Sequence, residues 1–295
     1  MVEVELKEKK MKLVVNRVHN LPTPPVVFEQ ISKVINDPDT SAYDIANIIS
    51  EDPALTAKIL RLTNSSFYGI PRTVTSVKQA IVILGLEVVK SLIISASVFE
   101  IFAKKYKLDK SYIDNFWRHS LSAAFMARIL SRKGEKLSPM EAEQFFSAGL
   151  LHDIGKLVII TELATDYKLI REALDGDITL TVYTAEATIM GIDHSDIGSF
   201  LCSKWNLPEP LCEAIANHHK EDMVVSQKYT AAIHLANYLA HQMESPDDPL
   251  PNFSPLYPDV WQVLGLSPGQ ESSLIDILKE EFSKAETFLN LARGL

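Results

Sequence analysis

The sequence has few cysteines and no long uninterrupted apolar segment. Cys202 and Cys212 are the only two cysteines among 295 residues. They are too few for a disulfide framework and lack the paired spacing of a thiolate zinc site, so we interpret both as core thiols. No run reaches the roughly 18 apolar residues that a membrane-spanning helix needs, and the charged start, Met1 to Lys12, has no signal-peptide core. We therefore expect a cytoplasmic protein that does not enter a membrane.

Positive charge is also scarce. Lysine and arginine number 29 against 38 aspartates and glutamates, which gives a net charge of -9. Such a chain would repel a nucleic-acid backbone overall. The lysines within residues 104–110 could form a local phosphate-binding face, but a solvated helix end is the simpler interpretation. Nucleic acid is therefore not an expected partner.

Alternation of polar and apolar residues is rare, whereas apolar residues recur at spacings of three and four almost everywhere, which predicts an all-α protein. Leu21–Pro25 predicts an extended turn that opens a helix over residues 26–35. Further helix start signals occur at Ser41, Asp52, Ser76 and Ser138. The proline-rich run 246–258 predicts irregular structure before a last amphipathic helix from Leu274 to Leu291.

The lysine-rich turn at residues 104–110 is the predicted domain boundary, because histidines on inner helix faces occur only after it. The predicted parts are an N-terminal tail (1–14), an N-terminal helical half (15–110), a histidine-bearing half (111–245), and a proline-rich loop with a C-terminal helix (246–295).

The adjacent residues His152 and Asp153 lie in an apolar segment. A carboxylate there is costly to bury unless a cation or hydrogen-bond donors compensate it. Imidazole nitrogen and carboxylate oxygen suit zinc, manganese or iron, and a bridging carboxylate could hold two ions. The alternative is a helix C-terminus with structural hydrogen bonds. His119 shares a helical face with Phe116 and Met126 and should point inward, although a lone inward histidine is more often a core residue than a ligand.

From His152-Asp153 onward the chain resembles the HD superfamily of metal-dependent phosphohydrolases. Glu186, His194, the run Trp205–Pro208 and the pair His218-His219 follow in the order shared by HDOD and HD-GYP proteins. With Leu21–Pro25 and Asn64–Gly69 upstream, the resemblance to HDOD proteins covers about residues 15 to 245. It implies an all-α, multi-helix HD-superfamily domain with an N-terminal helical bundle subdomain.

The resemblance also implies a metal site with one or two divalent transition ions (iron, manganese, zinc or nickel). The implied ligands are His119, His152, Asp153, His194, His218 and His219. Asp153 and Lys156 would be the catalytic residues, with Lys156 facing a phosphate; the alternative for Lys156 is a lysine that interacts with the helix dipole. Glu186 would orient a ligand histidine.

The chain departs from the HD pattern at one position. HD enzymes close their site with an aspartate on a later helix, and here Asn237 stands at that position. An amide oxygen can coordinate a metal, but it brings no negative charge and cannot act as a base. His234 and His241, on the same predicted helix, are interpreted as structural or exposed rather than as replacement ligands.

Three functions are compatible with these features. The first is a bacterial signalling module of the HDOD type, whose input would come from a separate signalling protein or a diffusible phosphate-containing ligand. The second is a metal-dependent phosphohydrolase acting on a nucleotide or cyclic dinucleotide. The third is a helix-turn-helix DNA-binding regulator at residues 43–62, where Lys58 and Arg61 are the only basic residues of the second helix. The oligomeric state stays open.

Overall fold

The computed structural model describes residues 10–12, 14, 28–31, 41–105, 110–133, 139–224, 226–244 and 254–293. Within these ranges the regular structure is helical and no strand occurs, which confirms the all-α prediction. The helices are α1 Ala42–Ser50, α2 Pro53–Thr63, α3 Val77–Leu84, α4 Leu86–Lys105, α5 Lys110–Lys133, α6 Pro139–Leu151, α7 Ile154–Glu162, α8 Ala164–Gly176, α9 Val182–Met190, α10 His194–Lys204, α11 Glu209–Asn217, α12 Glu221–Val224, α13 Lys228–Glu244, α14 Val260–Val263, α15 Glu271–Phe282 and α16 Glu286–Ala292. A 3-10 turn, Pro268–Gln270, leads into α15. Among the described helices, none is both long and apolar enough to cross a membrane.

Three of the predicted helix starts are confirmed by their capping hydrogen bonds. The Ser41 hydroxyl accepts a bond from the Asp44 amide at 3.2 Å at the start of α1. Asp52 caps α2 through two backbone amides, and the Ser76 hydroxyl caps α3. These side chains satisfy amide groups that the first turn of a helix leaves unpaired. Ser138 lies outside the described residues.

Several other predicted segments also lie outside the described residues. They are the Leu21–Pro25 turn, residues 26–27 and 32–35 of the first predicted helix, residues 106–109 of the lysine-rich turn, residues 246–253 of the proline-rich run and most of the tail 1–14. The division into four parts therefore stays a prediction.

The C-terminal helix differs from its prediction. A single helix from Leu274 to Leu291 is wrong, because the turn at residues 283–285 separates α15 from α16. The turn directs the fully buried Phe288 onto the rings of Phe67 and Phe125, with ring centroids 5.6 and 5.9 Å away. Apolar residues keep a helical spacing through the turn, so spacing alone does not reveal this change of direction.

Helix α5 lies at the centre of the molecule and packs against α6, α13 and α15. The segment 64–69 of the N-terminal half inserts Phe67 beside Phe125 of this helix, with ring centroids 4.8 Å apart. The Arg128 guanidinium lies 4.4 Å from the centroid of the Phe67 ring and its Nη1 is 3.5 Å from a carboxylate oxygen of the buried Glu143. One hydrophobic core therefore includes residues of both predicted halves.

Two glycines allow the histidine-bearing helices to approach closely. A Cβ atom at Gly155 would lie 2.0 Å from the carbonyl oxygen of His194, and one at Gly149 would lie 2.7 Å from the Cα of Ala124. No side chain fits at such distances, so glycine is required at both positions. The approach at Gly155 brings the N-terminus of α10 against Asp153, the residue before α7.

Candidate metal centre

The structure brings together the six residues that the resemblance implies as ligands. They come from helix α5 (His119), the junction of α6 and α7 (His152 and Asp153), the first residue of α10 (His194) and the end of α11 (His218 and His219). All six are buried. A burial of this kind is costly for so many polar groups unless each has a partner.

The five histidines share one hydrogen-bonding pattern, in which Nδ1 contacts an oxygen outside the cluster. The oxygens are Glu244 Oε2 at 3.2 Å for His119, Gly149 O at 2.7 Å for His152, Glu186 Oε2 at 2.6 Å for His194, Ile215 O at 2.7 Å for His218 and Ser254 Oγ at 2.6 Å for His219. Carbonyl and carboxylate oxygens only accept, so Nδ1 carries the proton in the first four rings. Nε2 is then the nitrogen left for the cluster.

The Nε2 atoms converge on the carboxylate of Asp153. Its Oδ1 lies 3.1 Å from His194 Nε2, and its Oδ2 lies 3.4 Å from His152 Nε2 and 3.7 Å from His119 Nε2. His219 Nε2 lies 3.0 Å from His194 Nε2. The carboxylate therefore stands between two sets of imidazole nitrogens.

This donor set fits a divalent metal ion. Among the described residues, the buried Nε2 atoms of His152 and His218 have no hydrogen-bond partner, and leaving such an atom unpaired costs about 1–3 kcal/mol. Two groups of potential ligands share Asp153, and the ligand atoms within each group lie within 4.8 Å of one another. One group adds His194, His218 and His219, and the other adds His119 and His152. Ligand atoms about 2.1 Å from a common ion lie roughly 3 Å apart, close to the shortest separations here.

Burial and the charges of the pocket keep Asp153, His218 and His219 in the forms that a metal needs. Burial alone would raise the pKa of Asp153, but His152 and Lys156 hold it well below its usual range, and the Lys156 ammonium lies 2.6 Å from Oδ2. Burial, followed by the neighbouring histidines, holds the pKa of His218 and His219 well below the usual range, so both are neutral at pH 7. Neutral imidazole and ionised carboxylate are the ligand forms of these groups.

Comparison with known proteins agrees with this architecture. The family model of the HDOD domain matches residues 21–221. The chain belongs to the HDOD domain family. A solved HDOD domain protein of unknown function from Geobacter sulfurreducens is 24% identical, with a TM-score of 0.74 and 98% of each chain covered.

Two further solved structures share the fold of the present chain. One is a proposed phosphohydrolase from Shewanella amazonensis SB2B, 21% identical over 95% of this chain and 97% of that chain, with a TM-score of 0.72. The other is a proposed signal transduction protein from Marinobacter aquaeolei VT8, 19% identical over 97% of this chain and 65% of that chain, with a TM-score of 0.73. This HDOD protein is thus related in fold to proteins of both descriptions.

A sequence relative is known from Treponema pallidum (strain Nichols), an uncharacterized protein. It is 23% identical over 219 residues, which are 74% of this chain and 41% of that protein. The matched region therefore spans less than half of the relative's length.

Asn237 reaches the pocket of this HDOD protein. It is buried on α13, and its Oδ1 lies 3.0 Å from His119 Nε2. Asp153 is therefore the one carboxylate among the six ligand candidates and Asn237, and the Lys156 ammonium contacts it directly. The six ligand candidates and Asn237 therefore contribute a single negative charge, which the Lys156 ammonium balances.

The other two histidines of α13 differ in their contacts. His234 is buried, its Nδ1 donates to the His218 carbonyl at 2.8 Å, and its ring stacks on Tyr257. His241 stacks on His119 with ring centroids 4.0 Å apart and planes inclined by 21°. A nitrogen lone pair lies in the plane of its ring, so two stacked rings cannot both ligate one ion. We interpret His241 as packing against His119.

Two Nδ1 partners of the ligand histidines were missed by sequence reasoning. Glu244 lies seven residues after Asn237 on α13 and shares its face, so helical spacing could have indicated it. Ser254 lies in the proline-rich run, and no sequence signal connects it to His219. Glu186, in contrast, contacts His194 as the resemblance implies, through both Nδ1 and the backbone amide.

The helix-turn-helix hypothesis gains little from the structure. Helices α1 and α2 do form a pair, but the Lys58 ammonium contacts the carboxylate of Glu100 on α4. A lysine paired with a carboxylate offers less charge to a phosphate backbone.

Proposed function

We propose that this HDOD protein is a bacterial, cytoplasmic signal-transduction module whose HD-like pocket binds a divalent transition metal ion. The observation that carries the proposal is the shared pattern of the five histidines, which keep Nδ1 on outer oxygens, while the Nε2 atoms of His119, His152 and His194 lie within 3.7 Å of Asp153. Histidine ligands of metals characteristically use their other ring nitrogen in this way. A metal ion would also satisfy the buried Nε2 atoms of His152 and His218, which have no hydrogen-bond partner.

The two halves of the pocket are unequal, and the distribution of charge favours a single tightly bound ion. One half combines Asp153 with His194, His218 and His219. The other half has two histidines, the amide of Asn237, and a lysine ammonium on the Asp153 oxygen that faces it. Two divalent ions would place four positive charges beside one carboxylate and Lys156, an unfavourable arrangement in a buried site.

The ion would act mainly by joining separate segments of the chain. Its ligands would come from the α6–α7 junction, the start of α10 and the end of α11, so occupancy would fix these elements relative to one another. When bound, a divalent ion also supplies a Lewis acid for polarising a phosphate oxygen. A signalling protein or a diffusible phosphate-containing ligand would then read or alter the state of the pocket.

The second candidate function is phosphohydrolysis on a nucleotide or cyclic dinucleotide. The side chain of Lys156 is 23% exposed beside the buried Asp153, so its ammonium could turn toward a bound phosphate. All six implied ligands are retained, which favours this candidate. Asn237 counts against it, because an amide supplies neither the negative charge that a second metal ion would need nor a base.

Hydrolysis assays of the metal-loaded protein separate the two candidates. Wild type, Asn237→Asp and Asp153→Asn are assayed on an aryl phosphodiester, nucleotides and cyclic dinucleotides, with Asn47→Asp on the exposed face of α1 as a control for an added carboxylate. The module predicts no turnover by wild type above the free-metal background, and a second bound ion in Asn237→Asp only. Turnover by wild type that Asp153→Asn abolishes would establish the hydrolase instead.

A further inference from the structure

The Nδ1 partners of the ligand histidines fall into two groups along the chain. Gly149, Glu186 and Ile215 lie within residues 21–221, the part that the HDOD family model matches. Glu244 and Ser254 lie beyond it. The orientation of His119 and His219 therefore depends on chain that follows the matched domain.

Three residues contact His219, two at its ring and one at its backbone carbonyl. Tyr183 stacks on one face with ring centroids 4.6 Å apart and planes inclined by 8°, and Ser254 Oγ lies 2.6 Å from Nδ1. The Tyr257 hydroxyl donates to the His219 carbonyl at 3.0 Å. Stacking does not fix the tautomer of the ring, whereas the hydroxyl of Ser254 can accept a hydrogen bond from Nδ1–H while His219 Nε2 lies 3.0 Å from His194 Nε2.

His119 is held in a similar way at the opposite side of the pocket. Its Nδ1 lies 3.2 Å from Glu244 Oε2, and the Glu244 side chain is 20% exposed at the end of α13. A carboxylate only accepts a hydrogen bond, so this contact keeps the proton on Nδ1. Carboxylate and histidine form the same pair here as Glu186 and His194 form inside the matched domain.

We propose that Glu244 and Ser254 are positioning residues that hold His119 and His219 in the tautomer protonated on Nδ1, with Nε2 directed into the pocket, so that chain beyond the matched HDOD domain completes its metal pocket. The proposal rests on the metal-binding function above. It assigns a role to Glu244 at the end of α13 and to Ser254, which the HDOD domain match does not include.

The first test needs no metal. Long-range nitrogen–proton spectra of protein labelled with 15N-histidine report which ring nitrogen is protonated. In the metal-free wild type we expect His219 in the Nδ1–H form, and a mixture of tautomers in Ser254→Ala. A wild-type His219 protonated on Nε2, or an unchanged tautomer in Ser254→Ala, would overturn the role of Ser254.

The second test measures metal affinity by competition with a chromophoric chelator. We expect Ser254→Ala and Glu244→Ala each to lower the affinity for zinc or cobalt by about 10–100-fold, the usual effect of losing such a partner. Ser254→Thr keeps the hydroxyl and Glu244→Gln keeps an acceptor oxygen, so both should restore most of the affinity. The matched controls are Ser273→Ala and Glu213→Ala, two exposed helical positions.

The outcomes distinguish this proposal from the metal-binding function. Metal binding by wild type with unchanged affinity in both alanine variants would overturn the positioning roles and leave the function intact. No metal binding by wild type would overturn the function, and the tautomer spectra would then still decide whether Ser254 orients His219. Equal losses in the controls would also contradict the proposal, because the effect would then be general.

Discussion

Histidine tautomers determine what the pocket can bind. In four of the five rings the acceptor of Nδ1 is a carbonyl or carboxylate oxygen, and this fixes the proton on the outer nitrogen. The sequence identifies the ligand candidates through the order of their motifs. It does not identify Ser254 as a partner, because that contact depends on the tertiary packing of residues 254–257, whereas Glu244 shares a helical face with Asn237 and could have been indicated by that spacing.

His194 leads to a prediction about pH. Burial alone would lower its pKa, but the carboxylate of Glu186 and the contact with Asp153 raise it to about 9. Nδ1 keeps its proton and donates it to the Glu186 carboxylate, so a metal ion must displace the proton on Nε2. Metal affinity should therefore fall as pH decreases below 9, approaching about tenfold per pH unit.

Calorimetric titration of the protein with zinc at pH 7.5, in two buffers of different ionisation enthalpy, measures the protons released. We expect close to one proton from His194 in wild type. Fewer protons should be released in Glu186→Gln, which lacks the carboxylate charge that raises the pKa of His194. The stability of the metal-free protein should depend on pH in the opposite direction. The raised pKa of His194 stabilises the fold below the unfolded value of 6.5, and this contribution is lost as pH rises through about 9. Metal binding without proton release would contradict this account.

At the scale of helices, the helix starts were predictable from local sequence, and the contacts between helices were not. The starts of α1, α2 and α3 depend on capping residues within three positions of the helix, so the sequence alone indicates them. The break between α15 and α16 places Phe288 in the core, and this packing has no counterpart in the local pattern. The close approach of α7 and α10 likewise cannot be read from Gly155 alone.

Gly155→Ala tests the contact between α7 and α10. The added methyl would meet the His194 carbonyl, a backbone atom that cannot turn aside. We expect a loss of about 1–3 kcal/mol in unfolding free energy in urea, as for other overpacked sites, together with weaker metal binding because His194 must move. Gly176→Ala is the matched control, since no heavy atom lies within 4 Å of its added Cβ. Equal stability of the two variants would show that the helices can separate without cost.

At the scale of the whole molecule, the histidine-bearing half and the N-terminal half share one core. Helix α5 carries His119 on the side of α13 and contributes Phe125 and Arg128 to the contact with Phe67. Packed side chains therefore connect the pocket to the N-terminal helices, as a signalling module would need. The resemblance predicted the family and the fold, whereas the unequal charges of the two pocket halves became visible only in the structure.

The central claim is that the pocket holds a metal ion, and its most direct test is the metal content of the protein purified without chelator or affinity metal. Mass spectrometry should find about one divalent transition ion per chain, held by nitrogen and oxygen ligands. Asp153→Asn should lose that ion while its circular dichroism stays helical. Wild-type protein that remains metal-free after incubation with iron, manganese, zinc and nickel would contradict the account.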